Sequence, residues 1–342
     1  MRVSEELVKL DGCPVCASQS AVPVGSVPDS LAAELNRNRP SKSDALIELE
    51  NHVVRCRNCG LKYLNPRPSD ALLEKLYDGW YRRGYSHNIA SSDGDRIRET
   101  EFERHHLRFI ERASPPGRTL LDVGTGTGIF PAVARRSGWK AQGIDFSSAA
   151  VSRAEAAGRP GVSRAKLSDI VERGEKFDVV TMFDYLEHTT TPMRDIADAS
   201  LCLKPDGLLA VRVPNTAGLQ SQIMGLGWVG VFSLHLSYFD EQSLRRAMAF
   251  CGFEPVFRYR GNYQSLAKLL RDKYAWTKEK LRQRRLTAEM TNGSIAREEP
   301  HEPSPRVVAF AKGTLLEFVD HAGGWIGKGN QLYMIWRNRD VH

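Results

Sequence analysis

The stretch Thr119-Leu120-Leu121-Asp122-Val123-Gly124-Thr125-Gly126-Thr127-Gly128-Ile129-Phe130 leaves this chain few folds to choose from. An apolar run breaks into three glycines at alternate positions and then restarts as a helix. Glycine at every second position removes the Cβ atoms that keep a ligand off the backbone, and permits the positive φ values of a tight strand-to-helix turn. Such a turn cradles nucleotides, and its spacing says which kind. A dinucleotide fingerprint runs Gly-x-Gly-x-x-Gly. Counted from Gly124 its third glycine falls on Ile129, and counted from Gly126 on Pro131, so the dinucleotide reading fails twice.

An acidic residue followed by Gly-x-Gly-x-Gly, here Asp122 with Gly124, Gly126 and Gly128, resembles motif I of the class I S-adenosylmethionine-dependent methyltransferases. The resemblance implies S-adenosylmethionine as cofactor, with Asp122 at the strand end suited to its ammonium group or a bound water, and Thr125 in the turn. It also implies a doubly wound, Rossmann-like, seven-stranded α/β sheet, and the chain alternates strand and helix from Arg118 onward as such a sheet demands. The second strand, Lys140 to Ile144, ends in Asp145, about twenty positions after the turn and so placed to accept hydrogen bonds from ribose hydroxyls. Phe146 beside it is placed to stack on adenine. Asp169 stands where the family puts an adenine-contacting acid, after a third strand near Val162 to Ala165 that is poorly marked.

Phe177-Asp178-Val179-Val180-Thr181-Met182 reads as the fourth strand, and the chemistry is expected just beyond it. Phe183-Asp184-Tyr185-Leu186-Glu187-His188 crowds two carboxylates and an imidazole at a strand end, where open α/β sheets bind ligands. The segment resembles the acid-x-x-Glu-His run of the ubiquinone-type O-methyltransferases. That resemblance implies Asp184, Glu187 and His188 facing the transferred methyl, in some members around a divalent ion, with Phe183 on the cofactor side. The plainer alternative, that Glu187 and His188 cap the next helix, stays open. His235, in Leu234-His235-Leu236-Ser237-Tyr238-Phe239, resembles the His-x-x-x-Phe segment of the same subgroup; an imidazole there can take a proton from a substrate hydroxyl, or simply pack in a core.

The amino-terminal residues 1–68 carry two Cys-x-x-Cys knuckles, Cys13 with Cys16 and Cys56 with Cys59. Paired knuckles read as a tetrahedral, four-thiolate and therefore structural zinc site, with redox thiols or buried free cysteines as rivals. The spacer, residues 17 to 55, exceeds the usual ribbon spacing and is expected to hold an insertion over Ser30 to Asn51. Residues 69–117 form a helical connector whose Tyr77, Trp80, Tyr81 and Tyr85, with Arg82 and Arg83, suit either a lid or packing between head and main domain. Cys-x-x-Cys-Gly, an apolar strand, Asn-Pro-Arg-Pro and a helix ending in aromatics resemble the start of a bacterial methyltransferase subgroup with a zinc-ribbon head.

Residues 118–342 are then the cofactor-binding domain, closed by strands at Phe253 to Tyr259 and Gln331 to Trp336 with an insertion at about 261–329 between them. That insertion opens with a basic helix, Leu266 to Arg285, and continues through a polar, proline-bearing Thr287 to Pro305. The glycine-rich apolar stretch from Val213 to Phe239 reads as a lid over the substrate pocket, with a dip into a membrane interface as the other reading. Neither a signal-peptide core nor an unbroken membrane-length apolar run appears, so a cytoplasmic protein is expected. The net charge of +7 points only weakly to anionic partners. Together these features lead to methyl transfer onto a hydroxyl of a small molecule, sugar or polysaccharide precursor. The rival from another class is a nucleic-acid-binding zinc-ribbon protein with a vestigial cofactor pocket, disfavoured because the ribbon lacks a dense basic and aromatic face.

Overall fold

The computed structural model describes residues 7–27, 52–82, 98–228, 230–259 and 328–339. The expected ribbon insertion over Ser30 to Asn51, the loop residues Arg83 and Tyr85, the basic helix from Leu266 to Arg285 and the segment from Thr287 to Pro305 lie outside the described residues. The chain divides into two compact units, one of residues 1–217, 221–259 and 331–342, the other of 218–220 and 260–330. In the second, the Leu219 amide donates to the Lys328 carbonyl at 2.9 Å. The rest concerns the first.

Its amino-terminal part is built on β1 (Leu7–Val8), β2 (Ala21–Ser26), β3 (His52–Cys56), β4 (Lys62–Leu64) and β5 (Arg67–Pro68). β2, β3 and β4 form an antiparallel meander, and β1 pairs with β5. Helix α1 (Asp70–Arg82) follows, its first turn held by the Ser69 hydroxyl accepting from the Leu72 amide at 3.3 Å. A π-helical stretch, Phe102–Leu107, then runs into α2 (Arg108–Arg112).

The main sheet begins with β6 (Thr119–Val123), α3 (Ile129–Arg136), β7 (Lys140–Asp145), α4 (Ser148–Ala156), β8 (Val162–Arg164), α5 (Leu167–Glu172), β9 (Phe177–Phe183), α6 (Pro192–Leu201) and β10 (Leu203–Pro214). β11 (Ser237–Tyr238) leaves this sheet and pairs with β4 of the head. Helix α7 (Glu241–Phe250), opened by a capping box between Asp240 and Ser243, leads to β12 (Phe253–Tyr259), and β13 (Gln331–Asn338) closes the sheet. The seven strands lie in the order β12-β13-β10-β9-β6-β7-β8. β13 is antiparallel to both neighbours, and the β6, β7, β8, β9 and β10 pairings are parallel. β9 is buried at every position, as a strand covered on both faces must be. The sequence marked β8 poorly because it is a short edge strand, with Val162 half-buried and Ser163 and Arg164 exposed.

The order reverses at β6, with β7 on one side and β9 on the other, so the carboxyl ends of these strands open the crevice where ligands bind. A second apolar cluster sits apart from the sheet. It joins Val53 and Leu64 of the head, Leu72, Leu76 and Tyr77 of α1, and Trp228, Val231, Leu234, Leu236 and Tyr238. The apolar stretch read as a lid is therefore largely packed into protein: Trp228 is 3% exposed, while Ile223 at 62% stands outside. No helix among the described residues is long and apolar enough to cross a membrane.

Candidate active site

The glycine turn between β6 and α3 has the backbone its spacing implied. Gly124, Gly126 and Gly128 take φ values of 69°, 56° and 72°, a region that L side chains avoid. A Cβ on Gly126 would lie 2.9 Å from the Tyr81 hydroxyl, so α1 reaches over the turn from the connector. The Gly124 and Thr125 amides both donate to the Ile144 carbonyl, at 2.9 and 3.0 Å, tying the turn to β7. Asp145, at the end of β7, accepts from the Gly126 amide at 2.8 Å and from the Ser147 amide at 2.9 Å. An ionised carboxylate offers roughly four lone-pair directions, so two remain for a ligand. Asp122 is buried at the end of β6 and accepts from the Thr181 hydroxyl at 2.6 Å. Burial lifts both carboxyls, Asp122 to about 6 despite the Thr181 hydroxyl, and Asp145 to about 6 despite the two amides.

A second group of side chains gathers at the β9 end. Glu187 is 1% exposed, and neither carboxyl oxygen has a hydrogen-bond partner among the described residues. Burial first, and then the Asp184 charge, raise its pKa well above the usual carboxyl range. His188 and His235 lie beside it with ring centroids 4.5 Å apart. His188 Nδ1 is 2.8 Å from the Leu234 carbonyl, and His235 Nδ1 is 2.8 Å from the Gly230 carbonyl. A carbonyl only accepts, so each Nδ1 carries the proton and each Nε2 keeps its lone pair. Burial lowers both imidazole pKa values, with the neighbouring His188 adding to the effect on His235. Glu187, His188 and His235 are thus gathered with one ligand-capable atom of each within 4.8 Å of the others. Two imidazoles whose Nδ1–H groups are anchored on carbonyls, with a carboxyl close to both, are also a donor set able to hold a divalent cation.

Tyr77 bridges the two groups. Its hydroxyl lies 2.5 Å from His188 Nδ1, its ring is 5.7 Å from the His188 ring, and on its other side it packs edge-on against Phe146 at 5.5 Å.

Asp184 faces elsewhere. It has a φ of 53°, uncommon outside glycine, and is clamped by the Arg212 guanidinium through both oxygens. Arg212 also donates to Glu101 at 3.2 Å and to His106 Nε2 at 2.8 Å, between the rings of Phe102 and Phe183. Phe183 thus belongs to an aromatic cluster with Phe102, Phe130, His106 and Tyr333. Asp169 accepts from the Lys166 amide at 2.9 Å and caps its own helix. Of the residues singled out in sequence, the structure gathers Asp122, Gly124, Thr125, Gly126, Gly128, Asp145 and Phe146 at one end of the crevice, and Glu187, His188 and His235 together. Glu101, His106 and Arg212 carried no motif; a lone arginine in Val211-Arg212-Val213 was the one visible sign.

In the head, Cys13 and Cys59 Sγ atoms are 3.5 Å apart, as are those of Cys16 and Cys56, and all four converge without disulfides. A tetrahedral metal with bonds of about 2.3 Å sets sulfur–sulfur edges of about 3.8 Å, which this cluster fits. Burial pushes the Cys13 thiol up to about 11; at Cys56 burial is outweighed by the Cys59 and Asn58 amides, which bring it down to about 7.

Residues 95–256 match a family model described as a methyltransferase domain. A ubiquinone biosynthesis O-methyltransferase of Hahella chejuensis is 39% identical over 120 residues, covering 31% of this chain and 50% of that protein. Another, from Actinobacillus pleuropneumoniae, is 35% identical over 103 residues, 27% of this chain and 44% of that protein. The chain spans about half the length of these relatives. Among solved structures, a SAM-dependent methyltransferase from Archaeoglobus fulgidus is similar over 75% of this chain and 100% of its own, at 14% identity and a TM-score of 0.48.

Proposed function

We infer that this chain, whose residues 95–256 match a methyltransferase-domain model, transfers a methyl group from S-adenosylmethionine to a hydroxyl of a small molecule, a sugar or a polysaccharide precursor. The observation that carries the reading is Asp145. Its carboxylate is fixed by the Gly126 and Ser147 amides at the rim of a turn whose glycines leave no Cβ in the way. When bound, the cofactor supplies a methyl group already activated on a sulfonium. The chain then has to hold the acceptor in line, keep water out and remove one proton.

The residues present suit those tasks. Asp122, Gly124, Gly126, Gly128, Asp145 and Phe146 hold the cofactor. His235 or His188, neutral and with Nε2 unprotonated, takes the proton from the acceptor hydroxyl, and the Glu187 carboxyl, raised in pKa by burial, lies beside them to orient the acceptor. Tyr77 excludes water from the gap between Phe146 and His188. Asp184, neutralised by Arg212, is a positioning residue that fixes the backbone leading to Glu187. The head holds one structural zinc ion on Cys13, Cys16, Cys56 and Cys59, four thiolates leaving no open position for chemistry.

Calorimetry tests the reading. S-adenosylmethionine is expected to release heat at a single site and NADH none; heat from NADH alone would overturn it. Transfer of a labelled methyl from the cofactor, screened over hydroxylated small molecules and sugar derivatives, then identifies the acceptor.

A further inference from the structure

The head and the imidazole pair are connected by backbone hydrogen bonds. The knuckle carrying Cys56 and Cys59 closes with the Cys56 amide donating to the Leu61 carbonyl at 2.9 Å, and β4 starts at the next residue. β4 then pairs with β11 in the register Ser237 with Tyr63 and Tyr238 with Lys62, and the Leu64 amide donates to the Leu236 carbonyl at 3.0 Å. From the same residue, the Leu236 amide donates to the Glu187 carbonyl at 2.6 Å, joined by the Ser237 amide at 3.2 Å. Leu236 is therefore gripped by the head on one side and by the β9 end on the other. Its neighbour His235 has the carbonyls of Gly230 and Phe232 as acceptors, and Leu234 supplies the carbonyl that orients His188.

Residues 228–238 have no strand pairing among the described residues other than the one with β4, and their apolar side chains fill the cluster shared with Val53 and Leu64. The glycine turn, by contrast, is fastened through Ile144 and Asp145. We propose that the ribbon head is a positioning device for the acceptor half of the site: β4, tensioned by the metal knuckle, sets the orientation of His235 and His188 through Leu236, while the cofactor half is built without it. The proposal rests on the reading of the four cysteines as a metal site and of the imidazoles as the proton acceptors. A structural metal contributes to folding because its ligand set forms only in the folded state, so removing it loosens the strand that grows out of the knuckle.

The test uses the full chain and needs no acceptor. Long-range proton–nitrogen spectra of the histidines, assigned with His188→Asn and His235→Asn, report which ring nitrogen is protonated, and calorimetry reports S-adenosylmethionine affinity. In the metal-loaded protein both rings are expected as fixed Nδ1–H tautomers. After chelation, or in Cys59→Ser, these signals collapse to an exchanging tautomer mixture, while the Kd for S-adenosylmethionine moves by less than about threefold. Leu64→Pro, which deletes the amide that grips Leu236, gives the same collapse with zinc still bound by elemental analysis; Leu64→Ala, which keeps the amide, retains the fixed tautomers. Unchanged tautomers after chelation, or cofactor affinity falling by more than about tenfold together with them, would overturn the proposal. If Leu64→Pro does not fold, the chelation comparison decides alone. Native protein carrying no zinc would instead remove the metal reading of the head, and the two Leu64 variants would still judge the strand.

Discussion

The cofactor cradle and the imidazole pocket sit in one crevice but are made in opposite ways. Gly124, Gly126, Gly128, Asp145 and Ser147 lie on one strand–turn–helix–strand unit, and the backbone bonds that tie the turn to β7 stay inside it. Around the imidazoles, Tyr77 meets His188 across 111 positions of sequence and Leu234 meets it across 46. A local unit reaches its geometry as soon as its strands pair. A pocket assembled from α1, the β9 end and the 228–238 segment depends on how three parts of the chain dock, and the last of these can be disturbed while the cradle stays intact.

The comparison breaks most sharply at His235. Removing a general base typically costs 10²- to 10⁴-fold in rate, so His235→Ala is expected to lose about that much methyl transfer while cofactor heat is preserved; an equal loss of cofactor binding would mean that the two halves are not separable. Gly126→Val makes the reciprocal cut. A β-branched residue at a φ of 56°, with its Cβ driven to 2.9 Å from the Tyr81 hydroxyl, is expected to raise the Kd for S-adenosylmethionine. Strain of a few kcal/mol at such a backbone corresponds to about 100-fold or more. The histidine tautomers stay as they were.

Acidity probes the cradle more gently. Asp122 and Asp145 are each lifted to about 6 by burial, so the ionised form that accepts hydrogen bonds from a ribose or an ammonium group is lost as pH falls through that value. Cofactor affinity, followed calorimetrically from pH 8 to 5, is expected to weaken below about 6 by about tenfold per pH unit for each of the two carboxyls that binding needs ionised; a flat profile would separate those carboxyls from binding. The smallest effect lies beneath both halves. Asp178 accepts from the Thr119 amide and hydroxyl at 2.8 and 2.5 Å and from Lys204 at 3.1 Å, tying β9 to β6. Burial opposes its ionisation but these donors outweigh it and hold the carboxyl below the usual range. Its stabilisation is therefore complete above about pH 4 and lost as pH falls through the folded value. Asp178→Asn is expected to cost about 1.5–3 kcal/mol in urea unfolding, with both the cofactor Kd and the tautomers unmoved.

What could be read in the sequence follows the same division. The glycine turn, Asp145 and the seven strands were legible because each is a local pattern of apolar period and punctuation. Asp169 carried the right residue type in the right place, yet a carboxylate three residues into a helix satisfies its own N-terminus first. Asp184 looked catalytic beside Glu187 and His188, and only the fold reveals that Arg212, 28 positions later, occupies both its oxygens. β11 left no trace: two residues that pair with a strand about 170 positions earlier have neither length nor alternation to announce them. The stretch from Val213 to Phe239 was legible as apolar but not as packed, because what covers Trp228 and Val231 comes from the head and from α1.

Helix α1 spans both worlds. Tyr81 rests its hydroxyl against the glycine turn, and Tyr77, one helical turn earlier, leans on an imidazole. Were that helix to shift as a rigid body at Tyr81, the ring beside His188 would move with it. The two sites thus share one rigid element, and a displacement at either ring reaches the other along a single turn of backbone rather than through the sheet.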